Sequence, residues 1–311
     1  MVGFTLFMKA SKVFVTGGTG FVGKAVIHAL QAHNFLVRCL VRPGSESRLK
    51  GFEAIERVPG DVTDPEGLST VMEGCQAVIH LVGIIREART RRGSFDRLHY
   101  DATKNVLQAA KAAGVTRYLQ MSALGVRPGA RSRYHQTKWN AEEAVRASGL
   151  PWTIFQPSII YGPGDGFISV LAKLVRRLPV VPVLGNGRYR LQPVPVELVA
   201  EGFAQAIDRP EGVNHVYAVG GPKPYAMNEI LDLIGESLGR SPVRKLHVPL
   251  GFVRPLVRAL DFLPFFPVTR DQLIMLEEES VCDPAPFYRD FDVKPVEFPE
   301  GLHRMLHFST S

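Results

Sequence analysis

Tyr134 and Lys138 are the side chains whose types and spacing point most directly to chemistry. A spacing of four residues places both on one face of a helix, one turn apart. A free phenol has a pKa of about 10, and a neighbouring ammonium favours its ionised form. The pair is therefore expected to act as a general acid or base toward a carbonyl or hydroxyl group of a small molecule. Ser122, which follows a predicted strand, is expected to orient that group.

A second chemical signal lies near the start of the chain, where residues 12–23 read Lys-Val-Phe-Val-Thr-Gly-Gly-Thr-Gly-Phe-Val-Gly. A β-branched run of strand length is followed at once by Gly17, Gly20 and Gly23, and then by a helical pattern. In such a turn the first glycine allows a sharp exit from the strand. The second lets backbone N–H groups approach a pyrophosphate, and the third lets the helix pack on the strand.

The N-terminus of that helix offers free N–H donors and partial positive charge to phosphates. The sequence therefore predicts a dinucleotide site built on this strand–turn–helix unit, and Lys138 is expected to reach the nicotinamide ribose. The residues predicted to form the site are Thr16, Gly17, Gly18, Thr19, Gly20, Phe21, Val22 and Gly23.

The end of the second predicted strand, 35–42, indicates which dinucleotide is bound. An acid there would bind the 2′-hydroxyl of NAD, whereas an arginine suits the 2′-phosphate of NADP. The position carries Arg42, and the first acid after it is Glu46. A charge-assisted contact contributes about 1.5–3 kcal/mol, or about ten- to a hundred-fold in affinity. NADP(H) is thus the preferred cofactor and NAD(H) the alternative; a plain surface arginine is the other interpretation of Arg42.

The elements that must position these residues alternate between strand and helix at the spacing of βαβ units. This alternation predicts an α/β fold, a doubly wound parallel sheet (Rossmann) covered on both faces. A small, mostly helical C-terminal lobe is expected beyond it, with the nucleotide-binding domain at 11–164 and 193–220 and the lobe at 165–192 and 221–311. Further strands are predicted at 55–58, 77–82, 117–121, 152–156 and 215–219, and helices at 65–74, 101–113, 134–148, 167–177 and 196–207.

Composition and charge are those of an ordinary soluble globule: 311 residues, 45% hydrophobic and 22% charged. No apolar run reaches membrane-spanning length, and no motif indicates nucleic acid. The three scattered cysteines have no metal-like spacing, which predicts a reduced cytoplasmic setting and no metal. The net charge of +7 favours anionic ligands or surfaces, or serves solubility alone. Residues 1–8 are too short for a secretory signal and are read as a frayed extension or an upstream start before Met8.

Two further patterns concern partners. Residues 251–263 place Phe252 and Leu256 among apolar residues opposite Arg254 and Arg258, followed by the apolar run 264–267. Such a helix lies either in a membrane interface at the cytoplasmic face or against a core or apolar cleft. The second pattern is a basic rim for an anionic substrate or lipid headgroup, or else solvated loop charge; its arginines are Arg86, Arg89, Arg91, Arg92, Arg97, Arg127, Arg131 and Arg133.

Several stretches together resemble the extended or atypical short-chain dehydrogenases/reductases, and they cover almost the whole chain. The chain is similar, within that branch, to the group related to the nucleotide-binding accessory subunit of respiratory complex I. Bacterial members of that group are often labelled sugar-nucleotide epimerases or NAD(P)H-binding proteins. The matching stretches are TGGTGFVG (16–23), GDV (60–62), HLVG (80–83), MSA (121–123), YHQTK (134–138), PSIIYGPGD (157–165), GNGRYRLQPVPVELVAEGFAQAI (185–207) and PVTRDQLIMLEEESV (267–281).

The resemblance implies Ser122, Tyr134 and Lys138 as catalytic residues. Our first hypothesis is an oxidoreductase or epimerase that acts on a small substrate, for which we expect an apolar, quinone- or isoprenoid-like compound. The alternatives are a non-catalytic assembly protein holding NADPH in a respiratory complex, and a nucleotide-sugar epimerase or dehydratase. The residues implied near the adenine are Asp61 and Val62, those lining the cofactor are His80, Leu81, Val82 and Gly83, and those beside the nicotinamide are Pro157, Ser158 and Ile159.

Overall fold

The computed structural model describes residues 11–87, 93–261 and 268–308. In chain order the strands are β1 (Lys12–Thr16), β2 (Leu36–Val41), β3 (Glu56–Pro59), β4 (Ala77–His80), β5 (Arg117–Met121), β6 (Trp152–Pro157), β7 (Ile160–Tyr161), β8 (Val181–Leu184), β9 (Arg190–Leu191), β10 (Val194–Pro195), β11 (His215–Val219), β12 (Tyr225–Ala226) and β13 (Lys245–Val248). The helices are α1 (Phe21–Ala32), α2 (Leu68–Met72), α3 (Ala102–Ala112), α4 (Arg133–Arg146), α5 (Ile168–Arg177), α6 (Val196–Gln205), α7 (Met227–Ser237), α8 (Leu250–Leu260), α9 (Arg270–Glu277), α10 (Ala285–Asp290) and α11 (Phe298–Phe308).

Seven of these strands form one parallel sheet in the order β11-β6-β5-β4-β1-β2-β3. The central strand β1 places Val13 beside Val37 of β2 and beside Ala77 of β4. The direction of strand succession reverses between β1 and β4. In open parallel sheets, ligands bind outside the carboxyl ends of the strands at such a reversal. The predicted doubly wound Rossmann sheet is confirmed.

Both faces of the sheet are covered because successive strand residues point to opposite sides. Val13 and Val15 of β1 pack under α1 and α6, whereas Phe14 packs on the other side with residues of α2, α3 and α4. All three side chains are fully buried. Burial on both faces explains why β1 reads as a continuous apolar run rather than an alternating one.

The C-terminal helices build a second core. Apolar side chains of α5, α7 and α11 pack there with those of β8. Three two-stranded sheets, β7–β10, β9–β12 and β8–β13, are separate from the main sheet. Phe287 and Phe291, within the range assigned to the lobe, instead pack in the main core, where their rings meet that of Phe155 at 5.8 and 5.3 Å. None of the described helices is long and apolar enough to cross a bilayer.

Some boundaries differ from the predicted ones. The fourth strand ends at His80 rather than 82, and the helix predicted at 65–74 is confined to α2. A π-helical turn, Asp96–Asp101, precedes α3 and was not predicted. Residues 1–10, the arginines Arg89, Arg91 and Arg92, and the run 264–267 lie outside the described residues.

Candidate functional site

The glycine-rich turn after β1 is shaped by two close backbone approaches. Gly17 has φ +78°, and a Cβ there would lie 3.1 Å from the carbonyl carbon of Leu81 and from the nitrogen of Val82. A Cβ at Gly23 would lie 2.2 Å from the Gly17 oxygen, so only glycine lets α1 pack on the turn. Gly17 and Gly23 therefore lie where the predicted sharp turn and close helix packing require glycine.

The first turn of α1 is left open to a ligand. Gly20 precedes the helix and offers no side-chain cap, and no acid stands in the first turn. The first N–H groups of a helix have no partner within the helix and carry partial positive charge. A pyrophosphate is the chemistry that satisfies such donors, so this cradle fits a dinucleotide.

Thr16 and His80 close the carboxyl ends of β1 and β4. Both side chains are fully buried, and Thr16 Oγ1 lies 2.6 Å from His80 Nδ1. Burial, with a smaller contribution from the Lys138 charge, lowers the pKa of His80 to about 3, so the imidazole is neutral. Within the described residues its Nε2 has no hydrogen-bond partner. His80 is thus a neutral imidazole at the carboxyl end of β4, beside the end of β1, and its contact with the cofactor stays a prediction.

Lys138 reaches from α4 to the same edge of the sheet. The helix is started by Ser132, whose hydroxyl accepts a hydrogen bond from the backbone N–H of His135. Lys138 is only 3% exposed, and its Nζ donates to the Met121 carbonyl at 3.0 Å. A Cβ at Gly83 would lie 3.0 Å from Nζ, so the ammonium sits against the segment after β4. Burial lowers the pKa of Lys138 to about 8, although the Glu142 carboxylate opposes the shift.

Tyr134 is half-buried one turn before Lys138, as the spacing predicted. Its ring meets the rings of Phe95 and His99 edge-on, with centroids 5.8 and 5.3 Å apart. Burial raises the pKa of Tyr134 to about 12, which is opposite to the direction expected from a neighbouring ammonium. Desolvation penalises the phenolate, so in the nucleotide-free chain this group is a protonated acid at neutral pH.

His99 is a site residue that the sequence did not reveal. It lies in the π-helical turn, buried, with Nδ1 2.9 Å from Thr137 Oγ1 and Nε2 3.1 Å from the backbone nitrogen of Ile84. His99 Nε2 also lies 3.1 Å from the Ile84 carbonyl oxygen, so the ring bridges Thr137 of α4 and the backbone of Ile84. Burial lowers the pKa of His99 to about 2. In the sequence, a single histidine in a polar stretch does not indicate that it will make these contacts.

Ser122 follows β5 as predicted, but its hydroxyl is directed away from the role expected of it. The side chain is buried and donates to the carboxylate of Glu142, on the helix turn after Lys138. Glu142 is fully buried and also accepts from Gln156 at 2.8 Å and from Arg146 at 2.7 Å. A hydroxyl whose single proton is engaged in this way cannot donate to a substrate carbonyl. In this structure the Ser122 hydroxyl makes a structural contact with Glu142, and its substrate contact stays a prediction.

The residues expected on the adenosine side lie at the ends of β2 and β3. Arg42 is exposed directly after β2. The Asp61 carboxylate accepts from the backbone N–H and hydroxyl of Thr63, at 2.9 and 3.0 Å, which holds the turn after β3. Val62 is buried, and its carbonyl accepts from Asn105 of α3. These residues thus follow the carboxyl ends of β2 and β3, and their contact with the adenosine stays a prediction.

Pro157, Ser158 and Ile159 follow the same edge at the end of β6. Ser158 Oγ lies 2.8 Å from Ser280 Oγ, and the Ile159 carbonyl accepts from Val194. The chain segment after α9 therefore crosses this end of the sheet. No His, Cys, Asp or Glu cluster that could hold a metal ion is present among residues 11–87, 93–261 and 268–308.

The arginines before and at the start of α4 do not form the free basic rim that was one expectation. Each is engaged with an acidic side chain, two of them on or next to α9: Arg127 with Glu278 at 3.1 Å, Arg131 with Glu277 at 3.8 Å, and Arg133 with Asp96. The α9 segment is thereby tied to the start of the Tyr134 helix. A cavity of about 330 Å³ lies elsewhere, between β7, α6 and α11, and none of the predicted site residues lines it.

Comparisons with known proteins agree with this geometry. A family model described as NAD(P)H-binding matches residues 17–173, half of the 311-residue chain. The chain is 28% identical over 298 residues to subunit 9 of the NADH dehydrogenase (ubiquinone) 1 alpha subcomplex of Arabidopsis thaliana, which covers 90% of this chain and 73% of that protein.

A second relative is a ceramide reductase of Caulobacter vibrioides, 37% identical over 174 residues. That match covers 56% of this chain and only 54% of the Caulobacter protein, about half of its length. Among solved structures, UDP-glucose 4-epimerase of Thermotoga maritima superposes with a TM-score of 0.77 at 19% identity, covering 96% of this chain and 98% of that one. At that identity the likeness concerns the fold alone.

Proposed function

The chain belongs to the NAD(P)H-binding family, and from that premise we propose that it is an NADP(H)-dependent reductase of an apolar carbonyl compound. The observation that carries the proposal is the placement of Tyr134 and Lys138. They lie one turn apart on α4, and Lys138 Nζ rests between the Met121 carbonyl and Gly83 at the carboxyl edge of the sheet. The glycine cradle after β1 opens at the same edge.

The nicotinamide, when bound, supplies the hydride. Tyr134 supplies the proton: its phenol, kept protonated by a pKa of about 12, donates to the oxygen that becomes an alkoxide. Lys138 carries three N–H donors, and the Met121 carbonyl takes one of them. The remaining donors are available to the ribose hydroxyls of a bound nucleotide. A protonated acid at neutral pH supports the reductive direction.

A lipid-like substrate is the class we infer. The ceramide reductase relative is named for a lipid, and Ile85, next to the His99-bound Ile84, exposes 54% of its surface beside the candidate site. Quinone- and isoprenoid-like ketones share this apolar character with a ceramide ketone. Subunit 9 of the NADH dehydrogenase alpha subcomplex supports a second candidate, a non-catalytic nucleotide-binding protein of a respiratory assembly. The engagement of Ser122 by Glu142 also favours that candidate.

Turnover separates the two candidates. We expect the purified chain to oxidise NADPH when given a long-chain ketone, such as a ceramide whose secondary hydroxyl is oxidised, and Tyr134→Phe to abolish this rate. The variant should keep the NADPH-induced rise in Tm, since bound nucleotide at a hundred times its Kd stabilises by about 2.7 kcal/mol. A Tm rise without turnover in the parent would instead support the non-catalytic candidate. Turnover unchanged in Tyr134→Phe would contradict the catalytic assignment.

The preference for NADP(H) rests on Arg42, exposed at the end of β2. Arg42→Ala should weaken NADPH binding by about ten- to a hundred-fold and leave NADH binding unchanged, because only NADPH carries the 2′-phosphate. Calorimetry with both nucleotides measures this directly. Equal losses for the two nucleotides would contradict the preference.

A further inference from the structure

The cavity between β7, α6 and α11 lies apart from the candidate site and has the size of a small-molecule pocket. Its volume is about 330 Å³, and ligand pockets range from about 300 to 1,000 Å³. Since a water-sized group takes about 30 Å³, the cavity has room for a molecule of about ten non-hydrogen atoms. Its walls are mainly apolar and include Leu198 of α6, Met305 of α11 and Val296 before that helix. A small, partly apolar molecule therefore fits it.

One polar group at this cavity has no protein partner. Tyr161 of β7 is 1% exposed, and its hydroxyl makes no hydrogen bond with any other residue in the part of the chain that the structure describes. The hydroxyl ends against Gly301 of α11, where a Cβ would overlap its oxygen. Both residues line the cavity, so the hydroxyl ends at the cavity wall. A buried hydroxyl without a partner destabilises a folded chain, and a ligand that hydrogen-bonds to it removes that penalty.

Two charged side chains also line the cavity, and only one of them has an ionic partner. Arg304 pairs with Glu300, one turn earlier on α11. Glu197, exposed in the first turn of α6, makes no hydrogen bond or ion pair within residues 11–87, 93–261 and 268–308. Pro163 and Pro195 line the cavity as well, and neither carries a backbone N–H. An unpaired carboxylate beside two positions without a backbone donor favours a ligand that brings a positive charge and N–H groups.

We propose that this cavity binds a small protonated amine that also carries a hydroxyl group. The ammonium lies at the Glu197 carboxylate, the hydroxyl meets that of Tyr161, and the apolar part lies along Leu198 and Met305. A small carboxylate at Arg304 is disfavoured, because Glu300 already pairs with that guanidinium. The site goes beyond the proposed reductase function, since none of the residues assigned to nucleotide or substrate lines it.

Three probes of nearly equal size test the proposal on the full chain. They are phenylalaninol, which carries an ammonium and a hydroxyl, the neutral diol in which a hydroxyl replaces its amine, and the anion phenyllactate. NMR of the methionine methyl groups shows where each probe binds, with the Met305 signal assigned as the one lost in Met305→Leu. Met305 reports the cavity, whereas Met121, whose carbonyl accepts from Lys138, reports the candidate site. Phenylalaninol should shift the Met305 signal with a Kd about five-fold below that of the diol, and phenyllactate should shift it least.

Substitutions separate the two polar contacts. Glu197→Gln should weaken phenylalaninol binding by about five-fold at low salt and leave diol binding unchanged, because only the amine is charged. Tyr161→Phe should weaken both by roughly five-fold, because both share the hydroxyl that meets the phenol. Its Tm without ligand should not fall, since no protein partner is lost. The matched control Glu236→Gln removes an exposed carboxylate from α7 and should bind the probes as the parent does.

Several results would overturn the proposal. Equal binding of phenylalaninol by the parent and Glu197→Gln would leave Glu197 as an acid that only complements the dipole of α6. A stronger response of Met305 to phenyllactate would assign the cavity to an anion at Arg304 instead. No shift of Met305 with any probe, or shifts confined to Met121, would leave the cavity without this ligand. Tyr134→Phe should keep the Met305 response, so a failed reductase assignment and a failed amine site give different results.

Discussion

Replacing Lys138 with methionine should reveal how strongly the site holds a buried charge. Lys138 is 3% exposed, and burial lowers its pKa from the ordinary value of 10.5 to about 8. Below pH 8 the folded chain must keep an ammonium away from water, which the unfolded chain need not do. Between pH 8 and 10.5 the unfolded state binds more protons than the folded state, so the stability of the parent rises with pH. Methionine at this position removes that dependence.

The size of the effect follows from the pKa difference. At about 1.4 kcal/mol for each pKa unit, the destabilising contribution of Lys138 shrinks by about 2.5 kcal/mol between pH 7 and pH 10. The free energy of unfolding of Lys138→Met, relative to that of the parent, should therefore fall by this amount across the interval. The sign is fixed because the folded-state pKa of a cation lies below its unfolded value.

Urea unfolding without nucleotide, followed by the fluorescence of the two tryptophans, measures these free energies. The matched control is Lys111→Met, because Lys111 is exposed near the end of α3 and its ammonium stays in water in both states. Its difference from the parent should stay constant with pH. If the Lys138→Met difference is equally constant, or grows as pH rises, Lys138 is not buried as an ammonium and the geometry proposed for the site fails.

Two further substitutions test the cradle and the serine. Gly23→Ala should lower the free energy of unfolding by roughly 3 kcal/mol and remove the NADPH-induced rise in Tm, because its Cβ would lie 2.2 Å from the backbone oxygen of Gly17. The control is Gly251→Ala on α8, which has open space around it and should leave stability unchanged or raise it. Ser122→Ala should cost about 1–3 kcal/mol in urea unfolding, because buried Glu142 loses a donor, and should keep kcat near the parent value. A large fall in kcat at unchanged stability would restore the serine to a catalytic role.

Much of the fold could be predicted from local pattern. Apolar runs with β-branched residues at β1, β2 and β6 identified strands, and the alternation of strands with helices implied the parallel sheet that the structure contains. The glycine spacing after β1 implied a tight turn because the conformations involved are set by the nearest atoms of the backbone. The π-helical turn at Asp96–Asp101 had no such signal, since its buried residue His99 is hydrogen-bonded by Thr137 and Ile84 from other segments.

The partners of the site side chains were beyond a reading of local pattern. Ser122 was expected at the substrate, and nothing in the sequence indicated that its hydroxyl donates a hydrogen bond to Glu142. The arginines before α4 were expected as a free basic rim, yet acids of the α9 segment pair with two of them. The direction of the Tyr134 pKa shift was also different, because burial outweighs the influence of a nearby ammonium.

The sequence by itself determined three features of this chain. They are the glycine turn, the spacing of Tyr134 and Lys138 on one helix, and the alternation of strands and helices that brings the strand ends to one edge of the sheet. Short-range sterics and the helical period fix these features, and both act between residues close in the chain. Only the tertiary structure decided how deeply each group is buried and which atom takes its hydrogen bond. Those choices depend on contacts between segments far apart in sequence, and they set the protonation of Tyr134, Lys138 and His99.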